Sequence, residues 1–281
     1  MFKKNYYCLV AGLPDLFFNE YKQEYNSLKF RSESKHQLNS SDYQLIEYLF
    51  LQFDNENFLN LLYDQKKQFN CHALHAKRVM ENEIVEPVGI PSYMIKFMKW
   101  NKEQDPSEYN LKAENKLNTL YYEYLLQVNN DFLKDWFLFE LNTKNVLTAF
   151  NCKKFKYKSE NHLILIDSNP VVNSLLVNNR LKQELFEEEI PYVDQIFKIA
   201  ESDLNLIEKE KALDKIKWTY LDDNTFFHYF TIEKILSYEI KLIMAERWLK
   251  LDAKTGEAFL EEIISELKTS YEFPAEFSLT K

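Results

Sequence analysis

Glycine is the residue that this sequence most nearly lacks. Only 3 of its 281 residues are glycine, whereas average usage of about 7% would give roughly 20. Tight β-hairpins and glycine-rich phosphate-binding loops need a positive φ or a close backbone approach, which glycine supplies most easily. The scarcity therefore disfavours multi-stranded β folds and nucleotide-binding α/β folds.

Cysteines and long apolar runs are also scarce. The three cysteines, Cys8, Cys71 and Cys152, have neither disulfide nor metal-site spacing, and their odd number is typical of a reducing compartment. No stretch approaches the roughly 18 to 20 uncharged residues that span a bilayer, and residues 1–15 lack the cleavage pattern of a secretory signal. We therefore expect a cytoplasmic protein without a transmembrane segment.

Positive charge is in deficit, because the formal net charge is -9 and the sequence pI is about 5.3. Nucleic-acid binding relies on clustered Lys and Arg, so we expect no nucleic-acid partner. One basic run departs from this mean and contains Lys153, Lys154, Lys156 and Lys158. It is either an interaction patch for an acidic partner, lipid headgroups or nucleic acid, or a solubilising helix end; we favour the helix end.

The abundant residues favour helices. Hydrophobic residues make up 46% of the chain, which is enough to form a core, and the frequent Leu, Lys and Glu lose little rotamer freedom in a helix. Asp105-Pro106 and Ser168-Asn169-Pro170 each place a capping residue before a proline, a pattern typical of helix starts. Residues 231–251 have a broad amphipathic stripe. Residues 162–167 fit either a strand or a buried helical turn. We predict an all-α fold with little or no sheet.

Three segments of the chain resemble one another. Residues 51–59 (LQFDNENFL), 139–147 (FELNTKNVL) and 228–236 (HYFTIEKIL) each place a polar capping type after an apolar residue, and an apolar-Leu pair follows. The capping positions lie 88 residues (142 − 54) and 89 residues (231 − 142) apart. We interpret each copy as a sharp corner between two helices, fixed by a side-chain cap. The predicted structural caps are Asp54, Asn57, Asn142, Asn145 and Thr231.

At these residues the sequence resembles the C-type, or d-type, central-stalk subunit of V-type and A-type rotary ATPases, in particular a divergent bacterial branch encoded with V-type ATPase subunits. The resemblance lies in residues 5–16 (NYYCLVAGLPDL), 53–59 (FDNENFL) and 230–241 (FTIEKILSYEIK), and it continues to Arg247-Trp248. It therefore touches both ends and the middle of the chain.

The resemblance implies three similar helical bundles in a pseudo-threefold funnel, with approximate boundaries at residues 1–90, 91–178 and 179–281. It also implies a non-catalytic subunit that couples the central stalk to the membrane rotor ring. Its partners are then the central-stalk subunits and the proteolipid ring, and it lies at the inner face of the cell membrane. The resemblance identifies no binding residue and no cofactor.

Two other interpretations remain open. A helical adaptor or repeat scaffold would show the same periodic pattern while binding different partners. Cys71, His72 and His75 are possible metal ligands, but no second cluster completes a four-ligand site, so a solvated helix end is the simpler interpretation. We predict no catalytic residue and no metal site, because no nucleophile or acid-base motif has local context.

Overall fold

The structure is a computed structural model that describes residues 4–18, 25–63, 67–104, 111–177 and 181–251. These residues form eleven α-helices and two short 3-10 helices, with no β-strand among them. The all-α prediction is therefore confirmed. The α-helices are α1 (Tyr7–Ala11), α2 (Ser27–Gln37), α3 (Ser40–Leu62), α4 (Lys77–Val85), α5 (Ser92–Lys102), α6 (Leu111–Leu125), α7 (Asp131–Phe155), α8 (Pro170–Val177), α9 (Val193–Glu201), α10 (Leu206–Thr225) and α11 (Ile232–Leu251); the 3-10 helices are Ser159–Asn161 and Gln183–Leu185.

Side-chain caps explain several of the helix starts. Helix α8 begins at Pro170, and the Asn169 side chain accepts a hydrogen bond from the Val171 amide at 3.0 Å, as expected for this sequence pattern. Helix α10 begins with a capping box between Asn205 and Glu208. Helix α11 matches the amphipathic segment found in the sequence. The predicted start at Asp105-Pro106 lies outside the described residues.

The helices pack in an order that closes on itself. Helix α3 contacts α2, α4 and α6, helix α7 contacts α6, α8 and α9, and α10 contacts α9 and α11. Helix α11 then contacts α2 and α3, so the last described helix packs against the first third of the chain. One continuous apolar core joins these helices. The division into three bundles and their funnel arrangement stay predictions.

The predicted caps at Asp54, Asn57, Asn142 and Asn145 are wrong. Asp54 and Asn57 lie within α3, and Asn142 and Asn145 lie within α7, and both helices run through these positions without a corner. Their types suit a helix start, but a helix interior has no free backbone amide for them to cap. All four side chains are at most 1% exposed, so their polar atoms need partners outside their own helix.

Asn57 and Asn145 find the same kind of partner. The Asn57 side chain donates to the Asn70 carbonyl at 2.9 Å and accepts from the Asn70 amide at 2.7 Å. The Asn145 side chain donates to the Ile164 carbonyl at 3.0 Å and accepts from the Ile164 amide at 2.9 Å. We call each of these two-bond contacts an amide clasp. Each clasp fixes the segment that follows its helix. Residues 162–167 belong to neither a strand nor a helix.

The residues three positions earlier reinforce the clasps. Asp54 accepts hydrogen bonds from the Leu74 amide at 3.0 Å and the His75 amide at 3.1 Å, and it lies 3.0 Å from His75 Nδ1. In α7, Asn142 accepts a hydrogen bond from the Asn169 side chain at 2.7 Å. The first two copies of the sequence repeat therefore perform the same structural task.

The third copy differs from the other two. Thr231 directly precedes α11, and its hydroxyl donates to the Glu233 carboxylate. It lies at a helix start, whereas Asp54 and Asn142 lie inside helices. The clasp is therefore a property of α3 and α7.

Loss of a clasp should destabilise the fold. The Asn145→Ala substitution leaves the buried amide and carbonyl of Ile164 without their side-chain partner, so we expect the free energy of unfolding to fall by about 2–4 kcal/mol. Urea unfolding measures the change. Asn151→Ala, at an exposed position of the same helix, should stay within about 0.5 kcal/mol of the parent. Equal effects of the two substitutions would contradict the clasp.

Candidate functional site

A polar cleft lies between α3, α6, α7, α10 and α11. It consists of a cavity of about 270 Å³ and an adjoining one of about 420 Å³. Five side chains, one from each helix, line both cavities: Gln52, Tyr121, Glu140, Lys217 and Arg247. We call this region the central cleft. Because each of the five helices contributes to its wall, a ligand or protein segment bound there would touch most of the fold.

Ion pairs join helices across the central cleft. Lys217 of α10 donates to Glu140 of α7 at 3.0 Å, and Arg247 of α11 donates to Asp214 of α10. Burial alone would lower the pKa of Lys217, but attraction to Glu140 and then to Asp214 outweighs it, so its pKa is raised. The lysine is therefore charged at neutral pH although it is partly withdrawn from water.

Aromatic rings reinforce the same contact between α7 and α10. Phe139 and Tyr220 stack with ring centroids 4.2 Å apart and an interplanar angle of 7°. Trp136, one turn earlier on α7, lies 6.0 Å from the same tyrosine ring. Stacked rings bury a large apolar area and restrict relative movement of the helices that carry them. The α7 wall of the cleft is therefore held firmly against α10.

Glu246 holds the opposite wall of the cleft together. Its carboxylate accepts hydrogen bonds from the Ser27 amide and, at 2.8 Å, from the Ser27 hydroxyl, and it lies 2.9 Å from His72 Nε2. Burial raises the pKa of Glu246, but the hydrogen bonds from His72 and Ser27 more than offset this, so the pKa is lowered. One carboxylate thus joins α11 to the start of α2 and to the segment after α3.

Glu239 lies two turns before Glu246 on α11, but its carboxylate has no hydrogen-bond partner among the described residues and its pKa is raised. It is 0% exposed, and neither carboxylate oxygen has a hydrogen-bond partner among the described residues. Burial, followed by repulsion from Glu246, raises the pKa of Glu239 well above its ordinary value, and attraction to Arg31 only partly offsets this. The neutral acid is therefore the form that suits the fold.

The candidate residues from the sequence lie elsewhere. Lys153 and Lys154 form the last turn of α7, Lys156 caps its end in the left-handed conformation, and Lys158 follows it. The lysine run therefore does lie at a helix end, and it lies outside the central cleft.

The Cys71, His72 and His75 cluster is not a helix end, because it lies in the irregular segment between α3 and α4. His72 and His75 contact Glu246 and Asp54, and the described residues contain no group of three or more metal ligands. The histidines serve to attach this segment to α3 and α11.

No local sequence pattern indicates the charged residues of the cleft. Glu140, Lys217 and Glu246 are far apart in the chain, so no local motif connects them. One signal was available, since Glu239 and Glu246 are seven residues apart and therefore share one face of α11. Acidic residues on the broad apolar face of a helix indicate a buried polar contact.

The chain matches the sequence model of one protein family. The sequence model of the family described as "Protein of unknown function (DUF2764)" matches residues 3–271. The chain belongs to this family. Comparison with curated proteins and with solved structures gives no match. Within the described part of this DUF2764 protein, none of the helices is both long and apolar enough to cross a bilayer.

Glu239 should make stability depend on pH. Because its folded-state pKa is raised, the folded protein keeps a proton that the unfolded chain releases above about pH 4.5, so stability falls as pH rises through this window. Glu239→Gln removes this loss. We expect the free energy of unfolding of the variant to rise, relative to that of the parent, by up to about 1.4 kcal/mol for each pH unit above about pH 4.5. Urea unfolding between pH 4.5 and pH 8 measures this difference.

The control for this measurement is Glu188→Gln, at an exposed position. Its stability should follow the parent curve at each pH. Parallel curves for the parent and Glu239→Gln would show that the buried carboxyl has an ordinary pKa.

Proposed function

We propose that this protein is a non-catalytic subunit of a V-type or A-type rotary ATPase, comparable to the C-type or d-type subunit. In this role it couples the central stalk to the membrane rotor ring during ion transport, and it is peripheral to the inner face of the cell membrane. The proposal draws on the resemblance in residues 5–16, 53–59 and 230–241, which lie far apart in the chain.

The observation that carries the proposal is the repeated amide clasp. Asn57 in α3 and Asn145 in α7 are 88 residues apart and make the same pair of backbone hydrogen bonds. A chain built from related helical units is what a subunit with pseudo-symmetry requires. The closed packing of α11 on α2 and α3 supports the same role.

Stiffness is the second supporting property. A torque-transmitting subunit works by resisting deformation, and the clasps attach connecting segments that would otherwise move freely as surface loops. The ion pair between Lys217 and Glu140 and the stacked rings of Phe139 and Tyr220 join α7 to α10 in the same way. These contacts suit a mechanical role better than a site that must open for turnover.

The loop between α10 and α11 provides a surface for a partner of the complex. Phe226, Phe227 and Tyr229 are 64%, 81% and 62% exposed, and the Tyr6 amide donates to the Phe230 carbonyl at 2.7 Å, which fixes the loop to the N-terminal segment. Exposed aromatic side chains on a fixed loop are typical anchors of protein interfaces. We assign this aromatic loop to contact with the rotor ring.

Affinity purification from the native cell in mild detergent tests the proposal. We expect the tagged protein to retain the ATPase head, stalk and proteolipid subunits, identified by mass spectrometry. A preparation without any of these subunits would contradict the rotary role and favour an adaptor with other partners.

The aromatic loop has its own test. The double substitution Phe226→Ser and Phe227→Ser should reduce recovery of proteolipid subunits at least tenfold, because it removes two exposed interface anchors, while the melting temperature stays unchanged. The double substitution Val85→Ser and Val88→Ser is the matched control, since these side chains are 81% and 80% exposed. Equal recovery with both variants would exclude the loop from the interface.

A further inference from the structure

A second concave surface adjoins the central cleft, because Glu114, Asn118 and Lys144 line both. It has a volume of about 680 Å³ and lies between the start of α6, the end of α7, the segment at residues 156–164, and the first turn of α10 with the segment before it. We call it the lysine groove. The charged and apolar side chains that line it include Lys144, Lys154, Lys209, Phe155, Tyr157 and Leu206.

The charge of the groove is opposite to that of the chain. Three lysines line it and Glu114 is its single carboxylate, whereas the whole chain has a net charge of -9. The charges exposed beside the groove are mixed: they are Lys153, Lys156 and Lys158, and also Glu160, Asp203 and Glu208. The lining of the groove therefore has a local excess of positive charge, which favours negative groups.

Apolar side chains are exposed inside the same groove. Phe155 and Tyr157 are 60% and 62% exposed, and Leu204 and Leu206 on the opposite side are 43% and 76% exposed. Exposed aromatic and leucine side chains on two sides of a concave surface leave apolar area that a partner can cover. The groove thus combines an apolar lining with basic residues.

The walls of the groove are fixed by hydrogen bonds. Lys209 donates to the Ala200 carbonyl at 2.9 Å, and Asn115 of α6 donates to the Asn161 carbonyl at 2.9 Å. The Tyr157 amide donates to the Cys152 carbonyl at 2.8 Å, because Lys156 reverses the chain with a φ of 59°. A surface held in this way is prepared for binding and loses little conformational entropy when it binds.

We propose that the lysine groove binds an acidic amphipathic helix of a partner protein. In this mode the apolar face of the helix covers Phe155, Tyr157 and Leu206, and its acidic residues pair with the surrounding lysines. A concave surface suits a helix better than a flat bilayer. Nucleic acid is disfavoured, because the strongly acidic chain repels an extended phosphate backbone. The proposal does not depend on the rotary role.

A peptide-binding experiment on the purified full-length protein tests this proposal. The probe is a fluorescein-labelled 18-residue synthetic helix with Leu at positions i, i+3, i+4 and i+7 and Glu at most others; its partner peptide carries Lys in place of Glu. Fluorescence anisotropy should show saturable binding of the Glu peptide, weakened by salt, and at least tenfold weaker binding of the Lys peptide.

Substitutions then locate the site. Lys154→Glu should weaken binding of the Glu peptide about fivefold and Leu206→Ser about tenfold. The controls Lys35→Glu and Val85→Ser, at exposed positions on α2 and α4, should leave it unchanged. Binding that ignores the groove substitutions, equal binding of both peptides, or binding to phosphatidylglycerol vesicles without binding of the Glu peptide would overturn the proposal.

Discussion

A buried carboxamide inside a helix must find hydrogen-bond partners away from its own backbone, and this constraint organises the structure. Asn57 and Asn145 meet it by binding both the amide and the carbonyl of one residue in the segment that follows their helix. Each connecting segment thereby becomes part of the core, where its own polar groups are satisfied. The clasps therefore hold Asn70 against α3 and Ile164 against α7.

The central cleft depends on the first clasp. Because Asn57 holds Asn70, the next residues are placed so that His72 reaches Glu246 and His75 reaches Asp54. Glu246 in turn binds Ser27, which brings α11 against the start of α2. The cleft is therefore the result of contacts between buried polar groups on separate helices, and its charged lining is balanced by pairs such as Lys217 and Glu140.

The sequence predicted the helical class and several helix starts because these depend on local propensity, as at Pro170 and in α11. It also located the repeated positions, but it assigned them the wrong role. Asp54 and Asn142 are residue types that cap helices, and only their burial distinguishes an internal anchor from a cap. The cleft was not predictable, since its contacts join residues such as Ser27 and Glu246, which are 219 positions apart.

That same separation has a consequence for biosynthesis. Ser27 and His72 leave the ribosome long before Glu246, which follows His72 by 174 positions. Helices α2 and α3 therefore cannot pack against α11 until most of the chain has been translated. Contacts this distant in sequence form late and slow the final folding step. During that interval the apolar faces that α11 later covers are exposed, and molecular chaperones can bind to them.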